Sequence, residues 1–150
     1  MNDKPGGTLT ATGWSSGSAN PRLHERITAG LMGAYPDALI EPGVDKFRAD
    51  MVIRSGSRVA MIEIKTGDPE SPLPSSANVQ MLILKDRIQR QFMDVVPVLI
   101  TNYRLDESDY EEMSASGIKV IDIEGSVYDS KAVANKLNAI LSDADPSLAK

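Results

Sequence analysis

Apolar residues recur along this chain with two periods, and the switches between them mark out the elements. Asn20-Pro21 reads as an N-cap followed by proline at the first helical position, and Leu23, Ile27 and Leu31 then recur at helical spacing toward an expected end near Gly33. A short strand around Ala38-Leu39-Ile40 and a turn at Pro42-Gly43 lead to two β-prone runs, Met51-Val52-Ile53-Arg54 and Val59-Ala60-Met61-Ile62. Residues 67–78, GDPESPLPSSAN, form a Pro- and Ser-rich loop with Ser75 or Ser76 to cap the next helix. That helix is expected from about Ala77 to Phe92, with Met81, Leu84, Ile88 and Phe92 on one face. VVPVLIT at 95–101 is a near-continuous apolar run, the pattern of a strand covered on both faces. A helix near Glu107 to Ser114, a strand IKVIDI at 118–123 and an amphipathic helix from about Ser130 to Leu141 complete an α-βββ-α-β-α-β-α order, hence an α/β fold.

The two runs around Ser55-Gly56-Ser57 carry the chemistry. A Gly-Ser pair suits a two-residue type II′ turn, which makes Ser55 face Arg58. Pairs in such a hairpin share a constant index sum, and Asp50 with Glu63 has the same sum as Ser55 with Arg58, so the two carboxylates are expected across from each other on one face of the sheet. Side chains alternate along a strand, so Lys65 shares that face while Ile62 and Ile64 point to the other. Like charges opposite each other are destabilising, and apolar neighbours raise the cost of an unpaired carboxylate. A hard divalent cation such as Mg²⁺ compensates with one or two carboxylates, water and phosphate oxygens. The bland alternative is a structural ion pair in which Lys65 neutralises one carboxylate.

Composition narrows the options around this cluster. A chain of 150 residues, 41% hydrophobic and 25% charged, is expected to make one globular domain over 20–141, between a Gly/Ser/Thr-rich tail at 1–19 and a short tail at 142–150. Trp14 is the one aromatic residue of the first tail. No apolar run approaches membrane-spanning length and the N-terminus has no apolar signal core, which points to a cytoplasmic protein. With no cysteine, thiolate zinc sites and disulfides are excluded, and the lone His24, on the border of the first helix's apolar face, reads most simply as a packed residue. The net charge of −5 sits in the last third: residues 1–100 balance 11 basic against 11 acidic groups, and residues 101–150 hold 5 and 10. Arg22, Arg26, Lys46, Arg48, Arg54, Arg58, Lys85, Arg87 and Arg90 could line a phosphate path if the fold gathers them. The acidic groups at 106–112 read as a solvated helix whose early negative charges suit its dipole.

An α-βββ-α-β order, with an aspartate at the start of the second strand and Glu63-Ile64-Lys65 at the end of the third, resembles the PD-(D/E)XK nuclease superfamily over about residues 20–125. The resemblance implies a restriction-endonuclease-like αβββαβ core, a mixed central sheet flanked by helices. It further implies that Asp50 and Glu63 hold Mg²⁺, with Mn²⁺ able to substitute, that the Ile64 carbonyl is a third ligand, and that Lys65 orients or activates the attacking water. Gly67 follows as is often seen in that superfamily, and VPVLITNYRLDESDYEEMSASGIKVIDIEG is similar to the closing strand-helix-strand of Mrr-like restriction enzymes. Glu25 matches an acidic residue that many members contribute from the first helix, although it lies about 200° around that helix from Leu23. Gln80 stands where such nucleases place a polar residue on the scissile phosphate. Asp45 belongs instead to a turn, since by the hairpin register it would face residue 68, beyond Lys65. The chain departs from the pattern at Ala49, which replaces the proline before the metal aspartate, in having Glu-x-Lys where Mrr-type enzymes have Gln-x-Lys, and at Leu84, where the RecB-like branch has tyrosine four residues after glutamine. The expected function is Mg²⁺-dependent hydrolysis of a DNA phosphodiester, by a two-fold homodimer that reaches both strands. The alternative from another class is a non-cleaving binding or scaffold subunit of a nucleic-acid, phage or defence complex.

Overall fold

A computed structural model of the chain describes residues 20–40, 43–44, 47–48, 50–74, 81–83, 85–86, 94–123 and 128–142. The first helix, α1 (Pro21–Ala34), starts where its cap chemistry requires: the Asn20 side chain accepts the Leu23 N–H and proline fills the first turn, while Leu23, Ile27 and Leu31 are buried on one stripe. Strands β1 (Leu39–Ile40), β4 (Met51–Ser55), β5 (Arg58–Lys65), β6 (Asp94–Thr101) and β7 (Lys119–Asp122) form one sheet in the order β1-β4-β5-β6-β7. The first three are antiparallel neighbours, and β5, β6 and β7 are parallel. Helices α2 (Glu107–Ala115) and α3 (Ser130–Ser142) follow β6 and β7, and residues 81–83 and 85–86 are helical within the span expected for the helix between β5 and β6. The expected α/β fold with a mixed sheet flanked by helices is the one observed.

The hairpin register agrees with the index-sum argument. Ser55 pairs with Arg58 and Met51 with Ile62, and Gly56 takes φ +62°, as the first central residue of a type II′ turn requires. One expectation is corrected nearby. Gly43 is not in a turn but in a short strand, β2 (Gly43–Val44), which pairs with β3 (Phe47–Arg48) as a separate two-stranded ladder. Pro42 and Asp45 lie outside the described residues.

Two cores cover the sheet. On one face Ala60, Ile62 and Ile64 of β5 meet Leu23, Ile27 and Leu31 of α1 and Val133, Leu137 and Leu141 of α3. On the other, Val59 and Met61 meet Met81, Leu99, Met113 and Ile118. Central β5 is therefore buried from Val59 to Lys65, and the strand period sends Glu63 and Lys65 to the second face, continuing the row of Val59 and Met61. Two ionisable side chains thus stand in the most enclosed strand of the molecule.

Candidate active site

The carboxylates and the ammonium lie where β5 and β6 both end. Lys65 pairs with Thr101, and Thr101 with Asp122, so three parallel strands end together at one edge of the sheet, the end at which ligands usually bind in such sheets. Asn20 joins this end through Asn20 N–H to the Thr66 carbonyl at 3.3 Å and Thr66 Oγ1 to the Asn20 carbonyl at 2.8 Å. The N-terminus of α1 is thereby pinned against the end of β5.

Asp50 leaves the ladder one residue before β4 begins, and its bonds show why. Its N–H reaches both the Ile62 carbonyl at 3.1 Å and Glu63 Oε1 at 3.2 Å, while its own Oδ2 accepts the Ile64 N–H at 2.7 Å. The carboxylate thus replaces a backbone partner and turns toward Glu63 across the hairpin. Lys65 Nζ stands 3.7 Å from Glu63 Oε2 with both side chains nearly inaccessible. Burial first, and then the Asp50 charge, pushes the Glu63 carboxyl well above the ordinary carboxylate range; Lys65 and the Asp50 N–H offset this only in part.

His24, read from sequence as a packed residue, belongs to this cluster instead: its Nε2 is 3.3 Å from Asp50 Oδ1. The expectation failed because a helical stripe says which face is buried, not what a residue at the helix's first turn meets across the sheet end. Glu25, by contrast, is exposed and supplies none of the bonds that join His24, Asp50, Glu63 and Lys65. Gln80 lies outside the described residues.

Of the basic residues expected along a phosphate path, Lys46, Arg87 and Arg90 lie outside the described residues. Arg58 bonds Asp94 at 3.1 Å and the Ile140 carbonyl at 2.9 Å, and Arg54 bonds the Gly56 carbonyl at 3.3 Å. Both sit at the turn end of the hairpin, and Arg58 is seven residues, roughly 23 Å of strand, from Lys65. Arg22 and Arg26 are exposed on the helix that carries His24. Helix α2, whose Met113 packs on the sheet face of Val59 and Met61, is capped reciprocally by Asp106 and Asp109 and exposes Glu107, Glu111 and Glu112.

The donor set suits a hard cation. Two adjoining carboxyls, one of them buried, would have their repulsion relieved by a divalent ion held between them. Among the described residues no three His, Cys, Asp or Glu side chains gather to hold a metal, so the protein would leave most coordination positions to water and substrate oxygens, as Mg²⁺ sites commonly do.

No family model matches the chain, and no curated protein matches it. Two solved structures are similar in fold. One is a protein of unknown function, AF1548, with a TM-score of 0.56 and 15% identity over 69% of this chain and 58% of its own. The other is a repair endonuclease from Pyrococcus abyssi, with a TM-score of 0.52 and 16% identity over 67% of this chain and 47% of its own. The chain thus spans about half the length of each, and at these identities the likeness establishes a shared fold, a mixed sheet flanked by helices of the kind found in that repair endonuclease.

Proposed function

We propose that the chain is a metal-dependent nuclease of PD-(D/E)XK type that hydrolyses phosphodiester bonds, with DNA as its substrate. The observation that carries the reading is the convergence of Asp50, Glu63 and Lys65 at the C-terminal ends of β5 and β6, in a fold similar to that of a repair endonuclease. Asp50 and Glu63 are the residues that would hold Mg²⁺, or Mn²⁺ in its place, with the Ile64 carbonyl as a third ligand. When bound, such an ion polarises a phosphate oxygen and lowers the pKa of its water.

The chain's own residues divide the remaining work. Lys65, rooted in a buried strand, presents its ammonium to negative charge that develops at the phosphate. Ile64 N–H fixes the Asp50 carboxylate through Oδ2, and His24 holds Oδ1, so that Asp50 is oriented before a ligand arrives. Exposed Arg22 and Arg26, on the helix that carries His24, are the described basic residues that would contact the phosphate backbone.

The test offers supercoiled, linear, single-stranded and branched DNA, and RNA, with Mg²⁺ and with Mn²⁺, alongside calorimetry of the metal alone. Cleavage of at least one DNA form and divalent binding are expected. A second reading, a nuclease-fold scaffold that binds without cutting, draws on the way Lys65 already pairs with Glu63 and the His24 ring already contacts Asp50. Absence of both metal binding and cleavage would select it. We also expect a two-fold dimer, because so small a surface reaches both strands of a duplex only by pairing. A monomeric mass by light scattering at tens of micromolar, with and without DNA, would remove that expectation.

A further inference from the structure

Strand β5 ends in an unusual way. Its ladder with β6 stops at Lys65 and Thr101, yet Gly67 is still paired, by a side chain: Asn102 Oδ1 accepts the Gly67 N–H at 2.8 Å and Asn102 Nδ2 donates to the Gly67 carbonyl at 2.8 Å. A carboxamide offers one acceptor and two donors on a planar group, so it can imitate a backbone amide and extend the pairing past the end of the ladder. Asn102 is 2% exposed, so neither bond can be replaced by bulk water. The Tyr103 ring lies against Gly67 so closely that a Cβ there would overlap it. Thr66, between Lys65 and Gly67, is fully buried and tied twice to Asn20, the cap of α1.

Both residues after Lys65 are therefore held, one toward α1 and one toward the loop after β6. A lysine side chain is long and has many rotamers, and its ammonium is placed well only if its root does not fray with the strand end. We propose that Asn102 is a positioning residue for Lys65: its two-bond clamp on Gly67 fixes the end of β5 and with it the direction of the Lys65 side chain into the site. This rests on the reading of Asp50, Glu63 and Lys65 as a nuclease centre, and adds to it a residue that touches neither metal nor substrate.

The experiment is a cycle of Asn102→Asp, Lys65→Ala and the double variant, measured under single-turnover conditions on the best DNA substrate. Asn102→Asp keeps the volume and the acceptor for Gly67 N–H but, when ionised, loses the donor to the Gly67 carbonyl. Its cleavage rate is expected to fall roughly ten- to a hundredfold, the scale for misplacing a catalytic group by about 1 Å. The apparent KM for DNA and the Mn²⁺ affinity should stay within about threefold, because Asp50 and Glu63 are held by other bonds. Lowering the pH should restore part of the rate, as the protonated carboxyl regains a donor. In the Lys65→Ala background the same substitution should change the rate less than about twofold, since there is no ammonium left to misplace. Additive losses, or an Asn102→Asp rate equal to wild type, would overturn the proposal while leaving the nuclease reading intact. Wild-type protein that neither binds metal nor cuts would overturn both. Asn102→Ser, with room for a water, carries the same comparison if Asn102→Asp does not fold.

Discussion

Lys65→Ala is expected to reduce cleavage by two or more orders of magnitude while divalent-metal binding persists. The size follows from what the ammonium does: losing one preorganised electrostatic contact to transition-state charge costs roughly 10²–10³ in rate, and no proposed metal ligand is removed. The geometry sharpens the expectation, because Lys65 Nζ is 3.7 Å from Glu63 and its side chain is nearly inaccessible, so the ammonium is held beside the carboxylates. A purely structural Lys65 makes the opposite forecast. Its removal would leave the buried Glu63 carboxyl without its cationic partner, costing on the order of 3 kcal/mol, with no activity to lose. Thermal melts and cleavage assays on the same preparation separate the cases. Strong destabilisation of a protein that never cut any substrate would move the assignment to the scaffold reading.

Asp50→Asn is expected to leave the metal-free protein as stable as wild type or more so at neutral pH, and to abolish the rise in melting temperature caused by Mg²⁺ or Mn²⁺. Asparagine can still accept the Ile64 N–H, so the local bond survives while the charge that disfavours ionised Glu63 is removed. A metal that binds only the folded wild type should stabilise it by about 2.7 kcal/mol at a hundred times its Kd. The pH dependence has a definite sign. Glu63 holds its proton more tightly folded than unfolded, so its contribution to stability is fully present below its ordinary value of 4.5 and is lost as pH rises through its raised value. The advantage of Asp50→Asn should therefore appear as pH rises above about 4.5 and be absent below it. Melting curves from pH 4 to 8, with and without metal, test both parts; a metal-induced shift that survives in Asp50→Asn would refute the site.

Much of this was legible from local rules. The Asn20 cap, the Leu23-Ile27-Leu31 stripe and the Gly56 turn each follow from bonds or torsions confined to a few neighbouring residues, so the sequence alone located α1 and the hairpin register. That register in turn put Glu63 and Lys65 on one face and Asp50 opposite them, because strand alternation and antiparallel pairing leave little freedom once the turn is known. What tertiary structure decided depends on segments far apart in the chain. His24 meets Asp50 across 26 residues, and Asn102 clamps Gly67 across 35. Neither contact leaves a periodic trace, since each is a single polar side chain at the end of an element. The same holds for Asp50 itself, whose departure from the ladder is set by its carboxylate capturing the Ile64 N–H. The sequence determined which residues could converge; the packing of α1 and the loop after β6 against the end of β5 decided how they are held, because those contacts depend on three-dimensional closure that no local propensity encodes.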